Sequence, residues 1–244
     1  MSPALSVDGV TVTFDGRHAL DDVGFEADAG TTTAVIGPNG SGKSTLLQAI
    51  AGVVPPVTGK IRTTARPALV LQSTEVDRAV PITVRDAVAM ARYPQLGLFR
   101  RFRVEDRDAV RRSLERLGVQ DLASRQLHDL SGGQRQRVLV AQGLAQESEL
   151  LLLDEPLNGL DLPTQEQILS EIDAERDAGR TVLMTTHSLD DARRCDQVLL
   201  LATRVIAVGT PDDVVTEPLL REAFGGAVRS GGELILDEPH RHGH

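Results

Sequence analysis

Gly37-Pro38-Asn39-Gly40-Ser41-Gly42-Lys43-Ser44 is the stretch that decides the fold. It fits the pattern G-x-x-x-x-G-K-[ST] and is followed by Thr45. Before it runs Thr31-Thr32-Thr33-Ala34-Val35-Ile36, a β-branched segment that reads as a strand. After it, Lys43 to Ala51 has helical spacing and is closed by Gly52. Strand, glycine-rich loop and helix in that order make a cradle for phosphates. The glycines let backbone N–H groups turn inward, and the helix start adds its positive end. Lys43 would reach the β- and γ-phosphates of a nucleoside triphosphate, and the Ser44 hydroxyl would hold Mg²⁺. Of 26 basic residues only Lys43 and Lys60 are lysines, so a lysine at this position is an informative event.

Outward from the loop, the next informative segment is Leu150-Leu151-Leu152-Leu153-Asp154-Glu155, a buried strand ending in two acids. Asp154 is placed to hold Mg²⁺ and Glu155 to accept a proton from an attacking water. Around it the pattern alternates. Residues 132–146, 163–178 and 189–194 read as helices, and residues 181–186 and 198–202 as strands, which predicts parallel strands with helical crossovers. Residues 5–27 read instead as short antiparallel strands with turns at Asp8-Gly9 and Asp15-Gly16. Further short strands are expected at 60–63 and 69–71, and helices at 83–92 and 104–117.

The chain has 244 residues, 41% of them hydrophobic and 25% charged, enough for one α/β unit with subdomains. No apolar run is longer than Val198 to Ala202, which is far too short to cross a bilayer, and no secretory signal is visible. The net charge of −9 argues against nucleic acid as a partner. Cys195 is the single cysteine, which excludes an internal disulfide and reads as a small buried residue.

Leu130-Ser131-Gly132-Gly133-Gln134 resembles, residue for residue, the LSGGQ signature of the ATP-binding subunits of ABC transporters, and it precedes the Leu150–Glu155 segment at that family's usual spacing. The resemblance covers about residues 5–225. It implies an α/β fold, a P-loop NTPase (RecA-like) core with an antiparallel β subdomain at about 5–30 and an inserted α-helical subdomain at about 75–145. Together these form a nucleotide-binding domain of residues 1–225, with residues 226–244 as a flexible Gly/His-containing tail. It further implies a homodimer in which each ATP lies between the phosphate loop of one protomer and Ser131, Gly132, Gly133 and Gln134 of the other.

Other roles follow from the resemblance by position. Gln72 resembles the glutamine that touches Mg²⁺ and the attacking water, and His187 the switch histidine that contacts the γ-phosphate. Asp161 matches the loop that communicates across the dimer, although Asn158 departs from the commoner Ser-Ala or Ala-Gly before Leu-Asp. Phe14 sits where the family stacks an aromatic on adenine, with core packing as the alternative. The implied cofactors are ATP and Mg²⁺. The implied partners are transmembrane permease subunits and, indirectly, an extracytoplasmic solute-binding protein, with the chain peripheral on the cytoplasmic face of the cell membrane.

Glu75-Val76-Asp77, Pro81-Ile82-Thr83-Val84-Arg85-Asp86 and Ala91-Arg92-Tyr93-Pro94 look like the zinc and manganese importers of this family. Iron-chelate and vitamin B12 importers share the Arg-Tyr-Pro element and form the alternative. A soluble ABC ATPase acting on DNA or ribosomes would need a coiled-coil insertion or a second cassette, and a non-hydrolysing regulator would not be expected to retain Glu155 and His187. Residues 85–116 carry nine arginines against five acids, read as solvated helix faces with ion pairs and as a surface toward the permease. His240, His242 and His244 are spaced to chelate a metal ion, but on a chain end they are not counted as a site.

Overall fold

The computed structural model describes residues 3–72, 81–93 and 102–225. Glu75, Val76, Asp77, Pro94, Arg100, Arg101 and the histidine-bearing tail lie outside the described residues.

Two long strands open the chain, β1 (Pro3–Phe14) and β2 (Arg17–Asp28). They are joined by a two-residue turn in which Asp15 (φ 48°) and Gly16 (φ 76°) both take the left-handed conformation that matches strand twist. The other expected turn, Asp8-Gly9, is not one. β1 runs straight through it, and Gly9 (φ 59°) marks a register shift between Val7 and Val10. A bulge uses the same positive-φ glycine as a turn does, so the dipeptide alone does not separate them. With β4 (Thr58–Thr63) these strands form an antiparallel sheet of order β2-β1-β4.

The second sheet contains β3 (Thr32–Ile36), β5 (Ala68–Val70), β6 (Leu150–Leu153), β7 (Thr181–Thr185), β8 (Gln197–Ala202) and β9 (Arg204–Gly209) in the order β5-β6-β7-β3-β8-β9. Every neighbouring pair is parallel except β8–β9. Both faces of this sheet are buried, which explains continuous apolar runs in place of alternation. Along β6, Leu151 and Leu153 join one core while Leu150 and Leu152 join the other. The second core also contains the antiparallel sheet's inner face, with Val7, Val10, Val12 and Phe25, and Leu46 and Leu47 of α1 (Lys43–Ile50).

The first core collects the remaining helices. These are α2 (Val84–Met90), α3 (Val104–Arg116), α4 (Gly132–Leu144), α5 (Leu162–Asp177), α6 (Leu189–Arg193), α7 (Pro211–Val214) and α8 (Glu217–Phe224). Gly143 of α4 faces β5 and β6, where a Cβ would meet Val70 Cγ2 at 2.4 Å. Four of the segment's seven described arginines, Arg92, Arg111, Arg112 and Arg116, are ion-paired locally. Arg111 pairs with Asp108 and Glu115 on its own helix, Arg112 with Glu147, and Arg116 with Glu171 and Glu175 of α5.

Arg92 is the buried member of this set. Its guanidinium donates to Asp106 Oδ1 at 3.0 Å, to the Ala145 carbonyl at 2.9 Å and to Glu147 Oε2 at 2.9 Å, tying the end of α2 to the start of α3 and the end of α4. The Arg103 amide, and after it Arg92, hold the Asp106 carboxyl below the usual carboxylate range. A depressed folded value means stabilisation that is present above the unfolded value and lost as pH falls through the folded one. Asp106→Asn is therefore expected to lower stability by about 2 kcal/mol near neutrality, the scale of a charge-assisted bond. The melting-temperature gap to the wild type should close as pH drops below about 4. A gap independent of pH would show that the charge of Asp106 contributes nothing.

Candidate nucleotide site

The site lies along the carboxyl edge of the parallel strands, where an open α/β sheet binds its ligands. β3 delivers the phosphate loop, β5 delivers Gln72, β6 delivers Asp154 and Glu155, and β7 delivers Thr185, Thr186 and His187. Sequence order scatters these residues. The strand order β5-β6-β7-β3 sets them side by side.

The phosphate loop tolerates nothing larger than glycine at two points. A Cβ on Gly37 would sit 2.0 Å from the Leu201 carbonyl oxygen, and one on Gly42 (φ 97°) would sit 2.3 Å from the Ala19 carbonyl oxygen. The loop is closed by the Ser41 amide donating to the Pro38 carbonyl at 3.1 Å and held to the strand edge by the Thr203 amide donating to the Ser41 carbonyl at 2.9 Å. Lys43 is buried, and its ammonium donates to the carbonyls of Gly37 (2.9 Å) and Pro38 (3.2 Å) within the loop. Burial lowers its pKa, while the charges of Glu155 and Asp154 act in the opposite sense. Ser41 Oγ is buried with no hydrogen-bond partner, an orphaned polar atom facing the glycine cradle. Asn39, Gly40 and Ser44 are exposed, and Thr45 is half-buried.

Thr185 organises the acids. Its hydroxyl donates to Asp154 Oδ1 at 2.7 Å and accepts from the Glu155 amide at 2.7 Å. The Asp154 amide donates to the Val70 carbonyl, so the acid is anchored from both neighbouring strands. Glu155 itself takes φ 46°, a conformation rare for a residue with a Cβ. Three donors converge on its carboxylate. Gln72 Nε2 and Asn158 Nδ2 each lie 3.0 Å from Oε2, and His187 Nε2 bonds Oε1. The His187 bond above all, then the charges of His187 and Lys43, hold this carboxyl below its ordinary value against an opposing desolvation. A cavity of about 170 Å³ opens beside it, lined by Asn158, Thr186, His187, Ser188 and Asp191 among others.

The other expected site residues lie apart from this cluster. Ser131 caps α4: its hydroxyl accepts from the Gln134 amide at 3.3 Å, and Gln134 Oε1 accepts from the Ser131 amide at 3.1 Å. Gly132 is exposed with open space where a side chain would be, and Gly133 abuts Leu160 and Thr164. Asp161 caps α5 by accepting from the Thr164 amide at 2.9 Å. Hydrogen bonding from the Thr164 side chain, and after it from the Thr164 amide, lowers the Asp161 pKa. Phe14 is 50% exposed at the tip of the β1–β2 hairpin, so the core-packing alternative does not hold. The strand that follows it brings Ala19 against Gly42, which sets the hairpin beside the phosphate loop.

The residues present suit Mg²⁺ with a nucleotide. Ser44, Asp154 and the amide oxygen of Gln72 are hard oxygen donors of the kind Mg²⁺ takes. The orphaned Ser41 hydroxyl and the glycine-only backbone at Gly37 and Gly42 mark a cradle built for an anion. Among the described residues no group of three or more His, Cys, Asp and Glu could hold a metal ion independently of a nucleotide. The sequence reading missed Thr185, whose one signal is a hydroxyl directly after the apolar run Val182 to Met184, and the bond from Asn158 to Glu155.

Comparison with known proteins agrees with this geometry. The chelated iron transport system membrane protein YfeB of Yersinia pestis is 41% identical over 93% of this chain and 81% of its own length. The manganese transport system ATP-binding protein MntA of Synechocystis is 39% identical over 91% and 90% of the two chains. A solved ABC transporter in an inward-facing conformation superposes with a TM-score of 0.82 at 31% identity, covering 92% of this chain and 90% of that one. Residues 20–158 match the ABC transporter family, and the chain belongs to it.

Proposed function

We propose that this chain is the ATP-hydrolysing subunit of an importer for a divalent metal ion, manganese or zinc, working through a separate transmembrane permease. The observation that carries the catalytic part is the meeting of Lys43, Asp154, Glu155, Gln72 and His187 at one sheet edge, with Glu155 already bonded by its two neighbours. Lys43 and the loop amides bind the β- and γ-phosphates, and Phe14 stacks on the adenine. Ser44, Asp154 and Gln72 would hold Mg²⁺, which when bound would neutralise charge on those phosphates. Glu155 takes the proton of the water that attacks the γ-phosphorus, His187 contacts the γ-phosphate, and ADP leaves with its oxygen charge balanced by Lys43.

Ser131 to Gln134 complete the site from a second copy. Both Ser131 and Gly132 are exposed at a helix start, as a surface that meets a phosphate across an interface must be. ATP closes the dimer and hydrolysis reopens it, and the motion is delivered to the permease. No described helix is long and apolar enough to cross a membrane. In this reading the subunit works peripherally, on the cytoplasmic face, with a solute-binding protein on the far side.

The cargo reading is supported by relatives named for manganese and, in Treponema pallidum at 38% identity, for zinc. The relative named for chelated iron favours the second reading. Cells lacking the chain are expected to lose most of their accumulation of manganese or zinc, and to regain it with the wild type but not with Lys43→Ala. If both ions accumulate normally while an iron chelate does not, the cargo belongs to the second reading.

A further inference from the structure

The loop after Glu155 makes a bond that this reaction scheme leaves unused. Asn158 grips Glu155 twice, its amide N–H donating to the Glu155 carbonyl at 3.3 Å and its side-chain Nδ2 to Oε2 at 3.0 Å. The loop that carries it is anchored away from the phosphates. Leu157 is buried, and Gln165 Nε2 of α5 donates to the carbonyls of Leu157 (3.3 Å) and Leu160 (3.2 Å). The two other donors to the carboxylate, Gln72 and His187, come from different strand ends and have tasks of their own at the water and the γ-phosphate. Taking up those tasks draws them from Glu155, whereas Asn158 belongs to the same turn as the residue it holds.

We propose that Asn158 is a positioning residue for hydrolysis, its side-chain amide keeping the Glu155 carboxylate aimed into the adjoining cavity throughout the cycle. Glu155 needs such a hold, because it stands beyond the end of β6 on a left-handed backbone, outside the regular strand that would otherwise fix its direction. The inference rests on Glu155 being the general base. Asn158→Leu keeps the size and removes the donor. Asn158→Asp keeps the shape and sets a second carboxylate against the first. Asn158→Gln returns a donor on a longer arm.

The test is steady-state ATP hydrolysis by the full-length chain. Asn158→Leu is expected to lower kcat about tenfold, the scale of one hydrogen bond to a charged group, with KM for ATP within about twofold. Asn158→Asp should fall further and Asn158→Gln recover part of the loss. In a Glu155→Gln background, Asn158→Leu should change nothing more, because the group it acts through is already gone. Wild-type kcat in Asn158→Leu, in a chain that Glu155→Gln silences, overturns the positioning role alone. A further loss in the double variant, or a fall in melting temperature with kcat and KM moving together, makes Asn158 structural and overturns it as well. Full turnover in Glu155→Gln overturns the general base itself.

Discussion

Glu155→Gln is expected to reduce ATP turnover by roughly 10²- to 10⁴-fold, the range that a positioned general base contributes. ATP binding and ATP-dependent dimerisation should survive. The substitution changes one oxygen to an amide without changing the shape, so Gln72 and Asn158 can still donate to the remaining oxygen, while the contact with His187 loses its charge. Lys43 keeps its loop bonds, and the negative charge that would have faced the γ-phosphate is gone. Retention of a bound nucleotide is therefore favoured as hydrolysis stops. The measurements are phosphate release and size-exclusion chromatography with and without ATP. A variant within tenfold of wild-type turnover would require another residue to take the proton, such as His187, whose ring nitrogen is already turned onto Glu155, or Asp191, which lines the same cavity.

Much of this site is legible in the amino-acid order because its chemistry demands local patterns. Gly37 to Ser44 must be contiguous, since one turn of backbone has to wrap one phosphate, and the glycines are needed where Leu201 and Ala19 press against the loop. Leu150 to Leu153 reads as a strand because both of its faces are buried, leaving no alternation to confuse with a helix. The convergence on Glu155 is different in kind. Gln72 and His187 meet there through the strand order β5-β6-β7, a long-range fact that no spacing encodes, whereas Asn158 reaches Glu155 from within the same turn. The Asp8-Gly9 bulge failed as a turn for a related reason. Whether a positive-φ glycine ends a strand or kinks it depends on the partner, and β4 pairs with β1 on both sides of Gly9, at Asp8 and at Thr11. β9 and the two short helices after it were not anticipated: β9 lies half-exposed at the sheet's edge, where partial burial blurs the apolar signal.

Lys43→Ala should abolish activity by the opposite route, through the loss of nucleotide binding. The ammonium is buried in the loop and donates to the carbonyls of Gly37 and Pro38, neighbours that carry no charge to neutralise it. Burial lowers its pKa, and the charges of Glu155 and Asp154 across the edge act in the opposite sense, favouring the ammonium. Removing such a preorganised charge costs about 10²- to 10³-fold in the step it serves. Stability without nucleotide should change by less than about 1 kcal/mol, because two loop carbonyls lose a donor that water can replace. The discriminating measurement is thermal denaturation against ATP concentration. The wild type should gain about 2.7 kcal/mol at a hundredfold excess over its Kd. The Lys43→Ala chain should show no gain over the same range and no dimer, where Glu155→Gln shows both. An ATP-induced rise in melting temperature equal to the wild type's would mean that the glycine cradle and the start of α1 suffice for binding, and that the rare lysine serves only the transition state.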